Sequence, residues 1–569
     1  MKSLSSAFGF TAAILVGACS SAGRSTDDVA QAPSPRDAAP SVPSQLPLKY
    51  VGPPTRPAIA AADMMTRVYI LADDSMMGRS AATIYNAKGA AYIEREVRRF
   101  GLQPAGVNGT YFQFPLEQRE LDPATTLTVG GKSLALWTDF APRDQGAGAR
   151  DFDGASVIYA GSLGDPQRLI APSAAAGKVV LITTAKDSTG RGNFSVNRAQ
   201  LGARFPQAAA IAVVTLDYVP PGYVDQFYRG AQVGPKGSGD SRAAPNYFYV
   251  TKAVAQAMLG RDAETAQPGA AGGTVQGRIR YAVKEAPARN VIAILPGSDP
   301  ALRGQYVAIG AHNDHVGFDN APADHDSVKA YQMIARPQGA DNADTPVTDA
   351  DWARIRQVAD SLRRQHPARR DSIYNGADDD ASGTTGVIEL AEALSMPAAR
   401  PKRSVVFLTV SGEEHGLWGS AWFSEHPVIP MSQVVADLNI DMIGRNWKDT
   451  IVVIGKEHSD LGTTLDRVNR AHPELRMKAI DDIWPDENFY FRSDHYNFAR
   501  KGVPILFFFN GTHPDYHGPN DEPDRIDAEK ESRIVRLVYL ITQEVGDAPA
   551  RPAWNPASYK RIVRPQTRE

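Results

Sequence analysis

Between residues 286 and 547, short apolar, β-branched runs alternate with stretches of helical period. This alternation constrains the fold more than any other feature. Strands linked by helices form parallel sheets, and such sheets must be covered on both faces. The runs Asn290–Leu295, Tyr306–Gly310, Val405–Val410, Val435–Ile440 and Pro504–Phe509 are read as strands. The expected fold class is α/β, a mostly parallel central sheet with helices on both faces.

In open α/β sheets, ligands bind outside the carboxyl ends of the strands. In this chain those ends carry ionisable side chains. Tyr306–Gly310 runs into Ala311-His312-Asn313-Asp314-His315, and Val405–Val410 runs into Ser411-Gly412-Glu413-Glu414-His415. Asp441 stands at a third strand end. Asp378, Asp379 and Asp380 share a turn before an apolar helix from Val387 to Leu394, where Asp380 or Ser382 is a candidate N-cap. Pro504–Phe509 leads to His513, Asp515, Tyr516 and His517. All eleven histidines lie at or beyond His312, so imidazole chemistry is confined to this half of the chain.

Singly, these pieces specify little; together they describe one highly charged pocket. Adjacent buried carboxylates repel, and a pair of divalent cations removes that cost. The single cysteine excludes a site built on two or more thiolates. Ligation by two imidazoles and three carboxylates, one of them bridging, suits zinc best, with manganese or cobalt as alternatives. There is no HExxH helix motif and no GxSxG turn, which removes the single-zinc helical protease and the serine nucleophile elbow.

Other segments complete the domain reading. Lys2, the apolar run Phe8–Val16 and Gly17-Ala18-Cys19 form a secretory signal too short to span a bilayer. Its only cysteine stands where small residues end the run. This resembles a bacterial lipoprotein signal, in which Cys19 becomes the lipidated first residue, and Ser20 after it suggests the outer membrane. Residues 19–58, rich in Ser, Ala and Pro, read as a flexible tether. Residues 59–125 read as a largely helical first part of the main domain, and 126–285 as an inserted strand-rich module without histidine. Residues 318–374 form a long insertion with an amphipathic helix over Asp351–Gln365, expected to act as a lid restricting the cleft, with inert surface decoration as the alternative. Residues 548–569 are read as a tail. A formal charge of −3 with no basic block argues against a nucleic-acid partner.

The segments GAHNDH, GADDDASG, SGEEHG, NIDMIG, RSDHYNF and DYHGPND, in this order, resemble those of the co-catalytic zinc exopeptidases, which include bacterial aminopeptidases and glutamate carboxypeptidases. The module at 126–285 resembles a protease-associated domain through GKVVLITTA and AAAIAVV. The resemblance implies the zinc exopeptidase fold and two Zn2+ per chain. His312, Asp379 and Asp441 would hold one ion; Glu414, His517 and the bridging Asp379 would hold the other. It implies that Glu413 is the general base toward the water between the metals, and that Asp314 orients the His312 imidazole. Tyr516 is a candidate to polarise the scissile carbonyl or stabilise its oxyanion, and Arg492 a candidate substrate contact. His315, His415 and His513 are assigned to structure or to the outer surroundings of the site. The implied activity is an aminopeptidase acting on peptides, with a carboxypeptidase or dipeptidase as the alternative. A single-zinc glutaminyl cyclase relative and a receptor that has lost its metals fit less well.

Overall fold

The computed structural model describes residues 48–563 apart from 144–149, 151, 187–189, 191, 194–195, 221, 225–227, 238–244, 338–346, 366 and 368. The signal segment, Cys19 and most of the tether lie outside the described residues. No described helix is long and apolar enough to cross a membrane.

Among the described residues, nine strands form the main sheet. Its principal strands are β1 (Asn290–Leu295), β2 (Tyr306–His312), β3 (Ser404–Val410), β4 (Val434–Asp441), β5 (Thr450–Ile454) and β6 (Ile505–Phe509). Across the sheet the order is β1, β3, β2, β4, β6, β5. The four central strands β3, β2, β4 and β6 are mutually parallel. β1 runs antiparallel to β3 and β5 antiparallel to β6, while β5 pairs in parallel with the edge strand Lys478–Ile480. For β1 the reason is connection length. β1 reaches β2 through only residues 296–305, too short for a helical crossover, and β1 lies beyond β3 with its direction reversed.

Alternate side chains of each strand enter different cores. Val405 and Phe407 pack with the layer that holds α1 (Ala61–Leu71) and α2 (Ile84–Arg99). Val406 and Leu408 pack on the other face with Phe423 and Phe498. The buried helix α5 (Gly383–Ser395) and the C-terminal helix α6 (Ala528–Asp547) complete the first layer. Arg67 of α1, fully buried, ties these helices together. Its Nε lies 2.6 Å from Glu389, and its Nη atoms lie 2.7 Å from Glu96 and 2.5 Å from Glu392.

The 126–285 region contributes an eight-stranded sheet with its own two-sided core. Its last strand, Tyr281–Glu285, instead pairs with Leu116–Leu121 in a separate three-stranded sheet, which also takes Gln232–Pro235.

The 318–374 insertion holds the expected helix and further ordered elements. Strands Phe318–Asp324 and Arg370–Ile373 pair as its stem, and α3 (His325–Ala335) packs on α4 (Asp349–Arg363) around Ala330, Ile355 and Ala359. A capping box at Thr348 and Asp351 starts α4 two residues before the periodic apolar positions alone would place it. Within the segment read as a tail, residues 548–563 are anchored to the main domain. The Trp554 indole N–H donates to the Gly502 carbonyl at 2.9 Å, and a short helix, Pro556–Ile562, buries Ile562. Its Pro and Arg content masked these few anchoring residues.

Candidate metal centre

The turn 376–382 shows how three consecutive aspartates divide their work. Asp378 is an anchor: its Oδ1 accepts from the Gly444 N–H at 2.6 Å, and its Oδ2 lies 3.2 Å from His513 Nε2. Asp380 is also an anchor. Its carboxylate accepts from the backbone N–H of His312 (3.0 Å), Gly383 (2.9 Å) and Met442 (3.2 Å), joining β2, α5 and β4. Asp379 between them points into the pocket, and the Asp379–Asp380 peptide is cis. Asp521 supports this turn by accepting from the N–H groups of Asp378 and Asp379.

The two oxygens of Asp379 face different imidazoles. Oδ1 is 3.1 Å from His312 Nε2, and Oδ2 is 3.0 Å from His517 Nε2. On the first side Asp441 Oδ1 lies 3.6 Å from the same His312 nitrogen. On the second, Glu414 Oε2 lies 2.8 Å from His517 Nε2. The donor atoms on each side fall within 4.8 Å of one another, with Asp379 common to both groups.

Hydrogen bonding tests whether these groups suit cations. His312 Nδ1 donates to the Asp314 carbonyl oxygen at 3.2 Å. A carbonyl can only accept, so Nδ1 carries a proton and Nε2 is the nitrogen turned toward the two carboxylates. Carboxylates converging on one imidazole nitrogen call for positive charge between the groups, which a divalent ion supplies, so the residues fit divalent ions. The orienting group on His312 is thus the Asp314 backbone; the Asp314 carboxylate, 3.9 Å from Nδ1, accepts from the Glu413 N–H instead.

The electrostatics carry the same mark. Burial alone would raise the Asp379 carboxyl, but the His312, His315 and His517 imidazoles outweigh it and hold it well below the usual carboxylate range. Burial disfavours charge on His312, yet the Asp380 and Asp441 carboxylates push it well above the ordinary imidazole range. Burial pushes Glu413 well above the usual carboxylate range, with Asp494, Glu414 and Asp441 adding to the effect. Glu413 belongs to neither donor group. It lines a cavity of about 40 Å³ with His312, Asp379, Asp441 and Tyr516, whose ring stacks on His517 at 3.9 Å.

His315 is placed differently from its sequence assignment. It is fully buried, with Nδ1 2.8 Å from Glu414 Oε1 and 3.5 Å from Asp379 Oδ2, so it belongs to the second donor group. Its spacing from His312 was the available signal. Arg79 went unnoticed in the sequence: buried behind the turn, it donates to the carbonyls of Leu71, Asn375 and Gly376 and places a positive charge near Asp379 and Asp380. Arg492 stands on the rim, paired with Glu487 at 3.1 Å. His415 is exposed and stacks on Trp418.

Residues 290–542 match the family described as Peptidase family M28. A probable zinc metalloprotease of Pyrenophora teres f. teres is 38% identical over 218 residues, covering 31% of this chain and 45% of that protein. Aminopeptidase YwaD of Bacillus subtilis is 28% identical over 190 residues, covering 31% of this chain and 39% of its own length. A probable leucine aminopeptidase of Arthroderma benhamiae is 24% identical over 369 residues, covering 60% of this chain and 83% of that protein. The chain spans about half the length of the first curated relatives it matches. A solved zinc aminopeptidase from Bacillus subtilis is 16% identical, covering 87% of this chain and 98% of its own, with a TM-score of 0.43. The matched segment runs from β1 through most of α6, and all the donor residues fall inside it.

Proposed function

We propose that this chain is a two-zinc aminopeptidase that releases N-terminal residues from peptides. The observation that carries the reading is Asp379, whose two oxygens face two separate imidazoles across one carboxylate. His312, Asp379 and Asp441 would hold one ion, and Asp379, Glu414 and His517 the other, with His315 beside the second. A pair of divalent ions polarises the scissile carbonyl and makes water nucleophilic near neutral pH. Glu413, adjacent to a ligand but outside both groups, takes the proton from the attacking water and passes it to the departing amine. The Tyr516 phenol, lining the same cavity, is placed to donate to the carbonyl oxygen as charge develops there.

The relatives named as aminopeptidases support aminopeptidase action over carboxypeptidase action, and Glu487 already engages the rim cation Arg492. The test is mass spectrometry of one peptide in free, N-acetylated and C-amidated forms, with and without chelator. Chelator-sensitive trimming that acetylation blocks is expected. Trimming from the other end, blocked by amidation, would overturn the assignment. The signal ending at Cys19 supports lipid anchoring at the outer membrane. Cys19→Ser is expected to release the chain from membranes, and unchanged fractionation would contradict the anchor.

A further inference from the structure

At the stem of the 318–374 insertion, three side chains from separate segments converge. They are His325, the first residue of α3; Asp371, on the returning strand; and Glu522, on the loop that follows His517. Their donor atoms lie within 4.8 Å of one another. None of the three belongs to the donor groups around Asp379.

His325 is 3% exposed, and its neighbours fix its tautomer. Nδ1 lies 2.6 Å from Asn520 Oδ1, while Asn520 Nδ2 donates to the His325 carbonyl at 3.1 Å, which sets the orientation of that amide. An amide oxygen only accepts, so Nδ1 carries the proton and Nε2 a lone pair. That Nε2 is buried, makes no hydrogen bond among the described residues and faces Asp371 Oδ2 at 3.9 Å. A lone pair directed at carboxylates in the interior is repulsive unless a cation stands between them. An amide oxygen accepting from the far ring nitrogen is also the support that metal-binding imidazoles use.

We propose that His325, Asp371 and Glu522 form a further divalent-cation site, distinct from the centre around Asp379, that fastens the insertion to the catalytic loop. One imidazole nitrogen and two carboxylate oxygens suit zinc, with water completing the coordination. Arg369 stands at the mouth of this site. Its guanidinium pairs with Glu522 and lies 4.0 Å from Asp371, yet its side chain is 46% exposed, so it can withdraw into solvent as the cation enters. The site connects to the active centre through a short path. Asn520, which holds His325, precedes Asp521, whose carboxylate accepts from the N–H groups of Asp378 and Asp379. A cation here therefore braces the segment that positions Asp379.

The test uses the full chain, stripped with chelator, reloaded in 10 μM zinc, desalted and assayed for zinc per chain. Wild type is expected to retain one zinc more than His325→Ala, and one more than Asp371→Ala. Asp371 is only half-buried, so its removal is the gentler change and decides the matter should His325→Ala fail to fold by circular dichroism. The same count is made in a His312→Ala, His517→Ala background, where the Asp379 centre has lost its imidazoles and the count reports on the His325 site alone. There, one zinc is expected to remain and to disappear on adding Asp371→Ala. Equal zinc in wild type and both single variants would overturn the proposal, whatever the double variant shows about the other centre.

Discussion

In both the main sheet and the eight-stranded sheet of residues 126–278, four parallel strands lie side by side between antiparallel neighbours. Both parallel cores are buried on both faces and rich in Val, Ile and Ala. They differ in what leaves the carboxyl ends. From β2, β3, β4 and β6 come His312, Glu413 and Glu414, Asp441 and His517. From strands Val179–Thr183, Ala210–Val214 and Asn246–Val250 come Thr184, Thr215 and Thr251. Thr215 donates to a carbonyl and Thr251 caps a helix, so these ends close the fold. The same strand physics thus serves either purpose, and function follows from the residues at the ends.

The sharpest way to break the comparison is to remove the shared carboxylate. Asp379→Ala should lower kcat/KM on a free peptide by about 10⁴-fold or more and reduce bound zinc, read by kinetics and metal analysis together. Glu413→Gln should lower kcat by about 10² to 10⁴-fold while zinc content stays as in wild type. Loss of zinc in that variant would make Glu413 a ligand.

The main sheet should also be the more sensitive to acid. His495 is fully buried, stacks on Phe507 at 4.2 Å and donates from Nε2 to the Tyr490 carbonyl at 2.8 Å. Burial lowers its pKa to about 3, so the unfolded chain binds the proton first as pH falls. Stability should be intact above about 6.5 and decline from there toward about 3, by roughly 4–5 kcal/mol in total at 1.36 kcal/mol per pH unit. Urea midpoints at pH 7 and 4.5 would show this slope, and His495→Phe should flatten it.

Arg67→Ala should cost about 3–5 kcal/mol, because it leaves Glu389 buried without its cation and Glu392 with only Arg99. At the end of strand Val179–Thr183, Lys186 pairs with Glu264 at 2.5 Å in a largely exposed bridge. Lys186→Ala should change stability by less than about 1 kcal/mol and leave kcat/KM within twofold of wild type. A large loss of activity there would give the second sheet a part in the chemistry.

The strands were legible because continuous apolar runs have few other solutions, and β1 was placed to the residue. The donor residues were legible because strand ends in such sheets gather at one edge. The role of His315 was hidden, since it depends on how the backbone curls after β2. Arg79 was hidden because it acts through carbonyls contributed by segments far along the chain. In the insertion helix α4 was legible, but the stem was not, because it pairs Phe318–Asp324 with Arg370–Ile373 across a long sequence gap that no local period encodes.

The central claim is that Asp379 bridges two cations at the carboxyl edge of the main sheet. Diffraction from zinc-loaded crystals, collected at the zinc absorption edge, tests it directly. The account predicts two anomalous peaks flanking Asp379, one toward His312 and Asp441 and one toward Glu414 and His517. A single peak at Asp379, or none, would contradict it.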